Sequence, residues 1–208
     1  MARALNYCGW GYEGDGLNAE EEHELLGSFS ARFGGAQFDR RPLLPVEEVS
    51  LPRQRVTPSP ALEGFCSSSD FDRITHTYGQ SYPDFLRMYD AEYANAPDFV
   101  AWPETEDQIE AVLDWATGRN VAVIPYGGGS SVVGGVEPDV GSGFDGAVSL
   151  DLTRLNQVVE IDRQSRAARI QGGANGPQSE GARKQHGLTM RHVPQSIEMA
   201  THGGMIAT

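Results

Sequence analysis

Apolar positions along this chain fall into helix-spaced stripes at both ends and dense, strand-like runs in the middle. Over residues 18–33, Leu25, Leu26, Phe29 and Phe33 recur at helical intervals, and Gly34-Gly35 follow to end the helix. Residues 42–60 carry five prolines (Pro42, Pro45, Pro52, Pro58 and Pro60), which favours an extended connector. A second helix is expected from about Tyr82 to Asn95, with Tyr82, Phe85, Leu86, Tyr89 and Tyr93 on one face and Pro97 beyond its end. An aromatic stripe of this kind points to core packing rather than to a cofactor box.

The middle third alternates strand and helix. Phe99-Val100-Ala101-Trp102 reads as a short buried strand, and Thr105 with Gln108 offers a capping box for the helix that follows. Ile109, Val112, Leu113 and Ala116 then lie on one face, Gly118 sits where the helix should stop, and Val121–Ile124 is a second apolar strand. This spacing predicts a βαβ unit with its two strands parallel. Later strands are expected at Ala147–Leu152, Val158–Asp162 and Ala167–Gln171, the last two joined by the polar turn Arg163-Gln164-Ser165. A helix opened by Pro177 and stopped by Gly187 follows. The fold class is therefore α+β, in two subdomains: a parallel βαβ part first and a mainly antiparallel part second.

Composition narrows the function. The chain has 208 residues, enough for one large domain or two small ones, and its 16 basic against 29 acidic side chains give a net charge of −13. Such a surface repels nucleic acid and anionic membranes, so any bound phosphate has to be held by local geometry. Cys8 and Cys66 are the only cysteines, which rules out a disulfide framework and fits a reduced, cytoplasmic setting. No stretch approaches the length of a membrane span, and the first residues have no signal-peptide core. The histidines, His23, His76, His186, His192 and His202, lack metal-ligand spacing, so no metal is expected. His202 adjoins Gly203-Gly204 and is read as facing solvent or an adenine. Glu20-Glu21-Glu22 complement a helix dipole and need no further role.

The candidate chemistry lies directly after the second apolar strand, in Ile124-Pro125-Tyr126-Gly127-Gly128-Gly129-Ser130-Ser131-Val132-Val133-Gly134-Gly135. Successive glycines let backbone N–H groups converge on an anion without interference from Cβ atoms. Each charge-assisted bond contributes roughly 1.5–3 kcal/mol net, so a few would hold a pyrophosphate without any lysine. Ser130 and Ser131 could add hydroxyl donors. A Walker A loop is excluded because no lysine follows Gly134 or Gly135, and a Rossmann fingerprint fails because Val132 stands where its third glycine belongs. Ser130-Ser131 also lacks the frame of a hydrolase elbow.

The loop, together with Gly9-Trp10-Gly11, Asp98–Pro103, Ser149–Leu152, Pro194–Glu198 and Thr201–Thr208, resembles the flavoproteins of the vanillyl-alcohol oxidase and p-cresol methylhydroxylase type. Within that family it is most similar to the alkyldihydroxyacetonephosphate synthase branch and its bacterial relatives. The resemblance implies a PCMH-type FAD-binding fold over 96–208, preceded by a helical extension and linker over 1–95. It implies that Pro125, Tyr126, Gly127, Gly128, Gly129, Ser130 and Ser131 wrap the FAD pyrophosphate. Gln195, Ser196, Ile197, Glu198 and Thr201, the Gly203-Gly204 turn and Thr208 would run along the cofactor toward the flavin. Met199, Ala200 and His202 depart from the family pattern. Some relatives link FAD covalently through a histidine. The loop here has neither His nor Cys, so noncovalent FAD is expected.

By the same resemblance, the flavin domain and a substrate domain continue past Thr208, and no catalytic residue can be named within the chain. The implied activity is that of an FAD-dependent enzyme of the ether-lipid type acting on glycerone phosphate, with a small-molecule substrate and homodimerisation left open. An FAD-dependent dehydrogenase of 2-hydroxy acids such as D-lactate or glycolate is the alternative within the fold. A non-catalytic nucleotide-binding module is the alternative outside it.

Overall fold

Short polar side chains start most of the helices. In the computed structural model, which describes residues 6–38 and 41–207, Asn18 caps α1 (Ala19–Arg32). A two-residue strand, β1 (Cys66–Ser67), precedes α2 (Asp70–Thr75), capped by Ser69, and α3 (Tyr82–Tyr89), capped by Ser81. Then come β2 (Phe99–Ala101), α4 (Glu106–Thr117) and β3 (Val121–Tyr126). The chain continues through β4 (Gly146–Asp151), β5 (Val158–Asp162), β6 (Ala167–Ile170), α5 (Gly176–Lys184) and α6 (His202–Ala207). Each cap oxygen accepts amides of the first helical turn that have no partner within the helix. At α4 the expected box is displaced: the Gln108 amide donates to Thr105 Oγ1 at 3.3 Å, but Gln108 Oε1 accepts the Glu104 amide at 2.6 Å.

The main sheet has the order β1-β2-β4-β3. β2 and β3 each pair in parallel with β4, and β1 closes the β2 edge antiparallel. The βαβ unit is thus parallel, as its spacing predicts, with β4 inserted between its two strands. β4 takes the centre because every one of its residues is buried, as a strand covered on both faces requires. α4 lays Val112 and Ala116 on the sheet, where they join Leu62, Phe99, Val148 and Leu150. Gly118 ends α4 in an ordinary right-handed conformation, and the left-handed turn falls on Asn120 at φ 53°. β5 and β6 form a separate antiparallel pair, so the two-part α+β architecture is present.

The front segment builds a second core from Val49, Ile74, Tyr78, Met88, Tyr93 and Ala96. Buried Arg73 stitches the proline-rich connector to it, donating to the carbonyls of Pro52 at 2.7 Å and Pro97 at 2.8 Å. Asp98, also buried, accepts the amides of Arg55 (2.5 Å) and Ala147 (2.8 Å), joining connector to sheet.

Two expectations need correcting here. The second helix stops at Tyr89 instead of Asn95, because Asp90 caps it and Ala91 turns left-handed at φ 54°. Its aromatic stripe is not core: Tyr82 is 75% exposed, and Leu86 and Tyr89 are exposed as well. The helix buries Asp84 and Met88, and Tyr93 reaches the core only because the chain has already left the helix. α1 forms as expected but buries none of its residues, and the rings of Phe29 and Phe33 meet that of Phe38 beside them.

Candidate functional site

β3 carries the chain straight into the glycine-rich loop. Pairing with β4 continues to Tyr126, whose carbonyl accepts the Leu152 amide at 3.0 Å. Beyond it, none of the amides of Gly127, Gly128, Gly129, Ser130 and Ser131 donates to an acceptor among the described residues. The glycines are demanded by close packing. A Cβ on Gly127 would overlap the Thr201 side chain, one on Gly128 the Met199 carbonyl, and one on Gly129 the Tyr126 hydroxyl. Gly129 is also left-handed, at φ 63°. Bare backbone thus runs hard against the strip 199–201 with a row of unused donors, which is what an anion cradle needs. Ser131 shapes the loop itself: its Oγ accepts the amides of Gly135 at 3.0 Å and Val133 at 3.4 Å.

Tyr126 turns inward. Its hydroxyl donates to the Thr75 carbonyl at 3.0 Å, and its ring lies 4.2 Å from that of His76, centroid to centroid. Burial, with the Asp151 carboxylate adding, pushes the hydroxyl far above its ordinary pKa, so it stays a neutral donor. His76 is buried with Nε2 3.0 Å from Asp151 Oδ2 and Nδ1 2.8 Å from the Asp72 carbonyl. Trp102 meets the same imidazole edge-on at 5.5 Å. The sequence offers no motif for this arrangement, because its members come from the residues just after α2 and β2 and from the ends of β3 and β4.

The second block forms the other wall. Gln195 and Glu198 are exposed, Ser196 and Ile197 are half-buried, and Ile197 packs where a Cβ on Gly176 would stand. The Ser196 carbonyl accepts the amides of Met199 and Ala200 at 2.9 and 2.7 Å, which curls the strip toward the loop. Thr201 is buried beside Gly127 and bridges to Asn175. Pro125 is exposed on the outer side of β3. Thr208 lies outside the described residues.

Two expectations about this block change. Gly203-Gly204 is not a turn: both lie in the first turn of α6, because the His202 and Gly203 amides are taken by the carbonyls of Ala174 (2.9 Å) and Gly172 (2.7 Å). His202 does not face solvent. It is buried, 2.6 Å from Ser179 Oγ, and burial together with the nearby Arg183 charge lowers its pKa. Arg183 is buried too, and its Nε and Nη2 have no hydrogen-bond partner among the described residues.

Neither thiol is poised as a nucleophile. Burial raises the Cys8 thiol to about 11 and the Cys66 thiol to about 12. Among the described residues, no group of three or more His, Cys, Asp or Glu is placed to hold a metal ion. No helix among them is long and apolar enough to cross a membrane.

The loop and its facing strip belong to a region, residues 97–208, that matches the model of the FAD binding domain over more than half of the chain. The chain belongs to that family. It is 40% identical over 136 residues to alkyldihydroxyacetonephosphate synthase of Dictyostelium discoideum, covering 65% of this chain and 22% of that protein. It is 34% identical to the synthase of the same name from Trypanosoma brucei brucei, covering 66% and 22%. The glycolate oxidase subunit GlcD of Bacillus subtilis (strain 168) is 31% identical, with 57% and 24% covered. A solved structure of alkyldihydroxyacetonephosphate synthase superposes with a TM-score of 0.84 at 28% identity, covering 98% of this chain and 43% of that one. The chain therefore spans about a fifth of the length of the curated synthases it matches (22%).

Proposed function

We propose that the chain is the flavin-binding portion of an FAD-dependent enzyme akin to the alkyldihydroxyacetonephosphate synthases. The observation that carries this reading is the row of undonated amides from Gly127 to Ser131, pressed by glycine contacts against Met199–Thr201. On a chain of net charge −13, fixed backbone donors supply the local positive potential that a pyrophosphate requires.

In this assignment Gly127, Gly128, Gly129, Ser130 and Ser131 bind the pyrophosphate, and Pro125 and Tyr126 fix where the loop begins. Gln195, Ser196, Ile197, Glu198, Thr201, Gly203, Gly204 and Thr208 line the path toward the flavin ring. FAD, when bound, supplies electron transfer at its isoalloxazine ring, and the protein supplies orientation and electrostatics. Attachment is noncovalent. The two histidines nearest the site are held elsewhere, His76 by Asp151 and Asp72, and His202 by Ser179. Chemistry on glycerone phosphate with a small-molecule substrate is the activity that fits, in a cytoplasmic setting.

The similarity to GlcD, and to a D-lactate dehydrogenase of Archaeoglobus fulgidus at 30% identity, favours a second reading, a flavin-dependent dehydrogenase of 2-hydroxy acids. Titrating the purified 208-residue chain with FAD tests the shared part of both. Quenching of flavin fluorescence on binding, and release of all flavin on denaturation, is the expected result. A folded protein that ignores FAD overturns the cofactor assignment, and flavin that stays on the denatured chain overturns noncovalent attachment.

A further inference from the structure

The loop is held from below by a segment outside the 97–208 match. Between Thr75 and Arg87 the chain touches the glycine-rich stretch at successive points along its length. At the start, the Thr75 carbonyl accepts the Tyr126 hydroxyl, and His76 lies against the Tyr126 ring. At the middle, the Gln80 amide donates to the Ser131 carbonyl at 2.6 Å. Gly79 stands so close that an added Cβ would overlap that same carbonyl, and its three nearest neighbours would all be atoms of Ser131. At the far end, Arg87 donates to Glu137 at 2.6 Å, and Glu137 in turn closes a turn on the Gly134 carbonyl.

His76 fastens this shelf to the sheet. Both ring nitrogens face acceptors, the Asp72 carbonyl and the Asp151 carboxylate, and Asp151 is the last residue of β4, opposite Tyr126. One imidazole therefore links α2, the end of the central strand and the residue that opens the loop. Both anchor points, Tyr126 and Ser131, lie at the ends of the run whose amides are unused.

Resting on the flavin reading above, we infer that the Thr75–Arg87 segment is a working part of the cofactor site. It sets the spacing of the loop amides, with His76 and Gly79 as positioning residues that never touch FAD. A row of preoriented donors loses affinity steeply when its spacing shifts, because each hydrogen bond depends on distance and direction. The segment should therefore govern FAD affinity out of proportion to its effect on stability.

Gly79→Ala is the direct probe, since Gly79 has no left-handed conformation to strain and its new methyl group presses first on Ser131. FAD dissociation constants and melting temperatures would be measured for this variant of the 208-residue chain, for His76→Gln and for Tyr126→Phe. Val112→Ala, in the core under α4, controls for general loosening, and Gly181→Ala, where an added Cβ meets nothing, controls for the glycine change itself. Gly79→Ala and His76→Gln are expected to raise the FAD dissociation constant at least about tenfold, and Tyr126→Phe by about threefold to tenfold. Both controls should stay within about twofold, even where Val112→Ala lowers the melting temperature as much. Should Gly79→Ala fail to fold, Tyr126→Phe, which deletes one hydroxyl, carries the test. Affinities that simply track melting temperature across all variants, or that stay within about twofold for the shelf variants, overturn the inference. Absence of FAD uptake by the unaltered chain overturns the proposed function itself, which is a separate outcome.

Discussion

In the parallel sheet, β2 and β4 are buried at every residue, whereas β5 and β6 of the antiparallel pair have no fully buried residue. The interiors differ in kind as well. The sheet core is made of Leu62, Phe99, Val112, Val148 and Leu150, while the space beside β6 and α5 receives Ser179, Arg183 and His202. Stability accordingly belongs to the first region and adaptable polarity to the second. The loop grows from the first region and leans on the second through Gly127, Gly128, Met199 and Thr201. A cofactor held there would couple the two, since one wall of its site comes from each.

The contact between the regions is the sharpest place to break this comparison. Gly128→Ala puts a methyl group into the Met199 backbone, which cannot rotate away as a flexible side chain can. FAD affinity should fall by roughly a hundredfold, equivalent to about 3 kcal/mol, as read by fluorescence titration. An unchanged affinity would mean that the strip 199–201 is not part of the site.

Next in size is a matched pair of truncations. Val148→Ala in β4 should cost about 2 kcal/mol in urea unfolding, while Val159→Ala in β5, where the side chain is 53% exposed, should stay within about 0.5 kcal/mol. Equal losses would erase the contrast in burial. Arg183→Met carries a smaller effect of the opposite sign. Its guanidinium is buried, Nε and Nη2 make no hydrogen bond among the described residues, and its ion pair with Glu180 is long at 3.7 Å, so an apolar replacement of similar length should leave the unfolding midpoint unchanged or raise it. A clear loss of stability would reveal an interaction of Arg183 that sustains the second region.

The smallest effect is on pH, where the regions should loosen at opposite ends. The Cys66 thiol, pushed up to about 12 by burial against the sheet core, keeps its proton in the folded state when the unfolded chain has lost it. Its contribution to stability is complete below the unfolded value of about 8.5 and is lost as pH rises toward 12. His202 is the reverse case. Its folded pKa lies below the ordinary value, so the unfolded state takes up a proton first and stability falls as pH drops through about 6.5. Hydrogen exchange should show α5 and α6 opening first on acidification and β1 with its neighbours opening first on alkalinisation. Cys66→Ser and His202→Asn should each flatten one limb of the profile.

Much of the fold is legible because its signals are local. The apolar face of α4, the short apolar runs of β2 and β3 and the turn between β5 and β6 announce themselves within a few residues. The aromatic face of α3 misleads for a physical reason. Periodicity tells which side chains share a face, but the buried side of α3 is chosen by Arg87, which pairs buried Asp84 with Glu137, fifty residues further along the chain. His202 and Gly203-Gly204 mislead similarly, since their helix begins only where Gly172 and Ala174 accept its amides. His76 carries no signal at all as a single histidine.

What the sequence by itself determined is the run of residues that can cradle an anion. Only glycine at 127, 128 and 129 frees the backbone, and the absence of a lysine in the loop narrows the kind of site. Only the tertiary structure decided why those glycines are obligatory and what holds them in place. Met199, Thr201 and Tyr126 occupy the space their side chains would need, and Thr75, His76, Gly79 and Gln80 support the loop from a segment fifty residues earlier. The reason is physical: a loop's composition sets which conformations are open to it, whereas contacts distant in sequence select the single one it adopts.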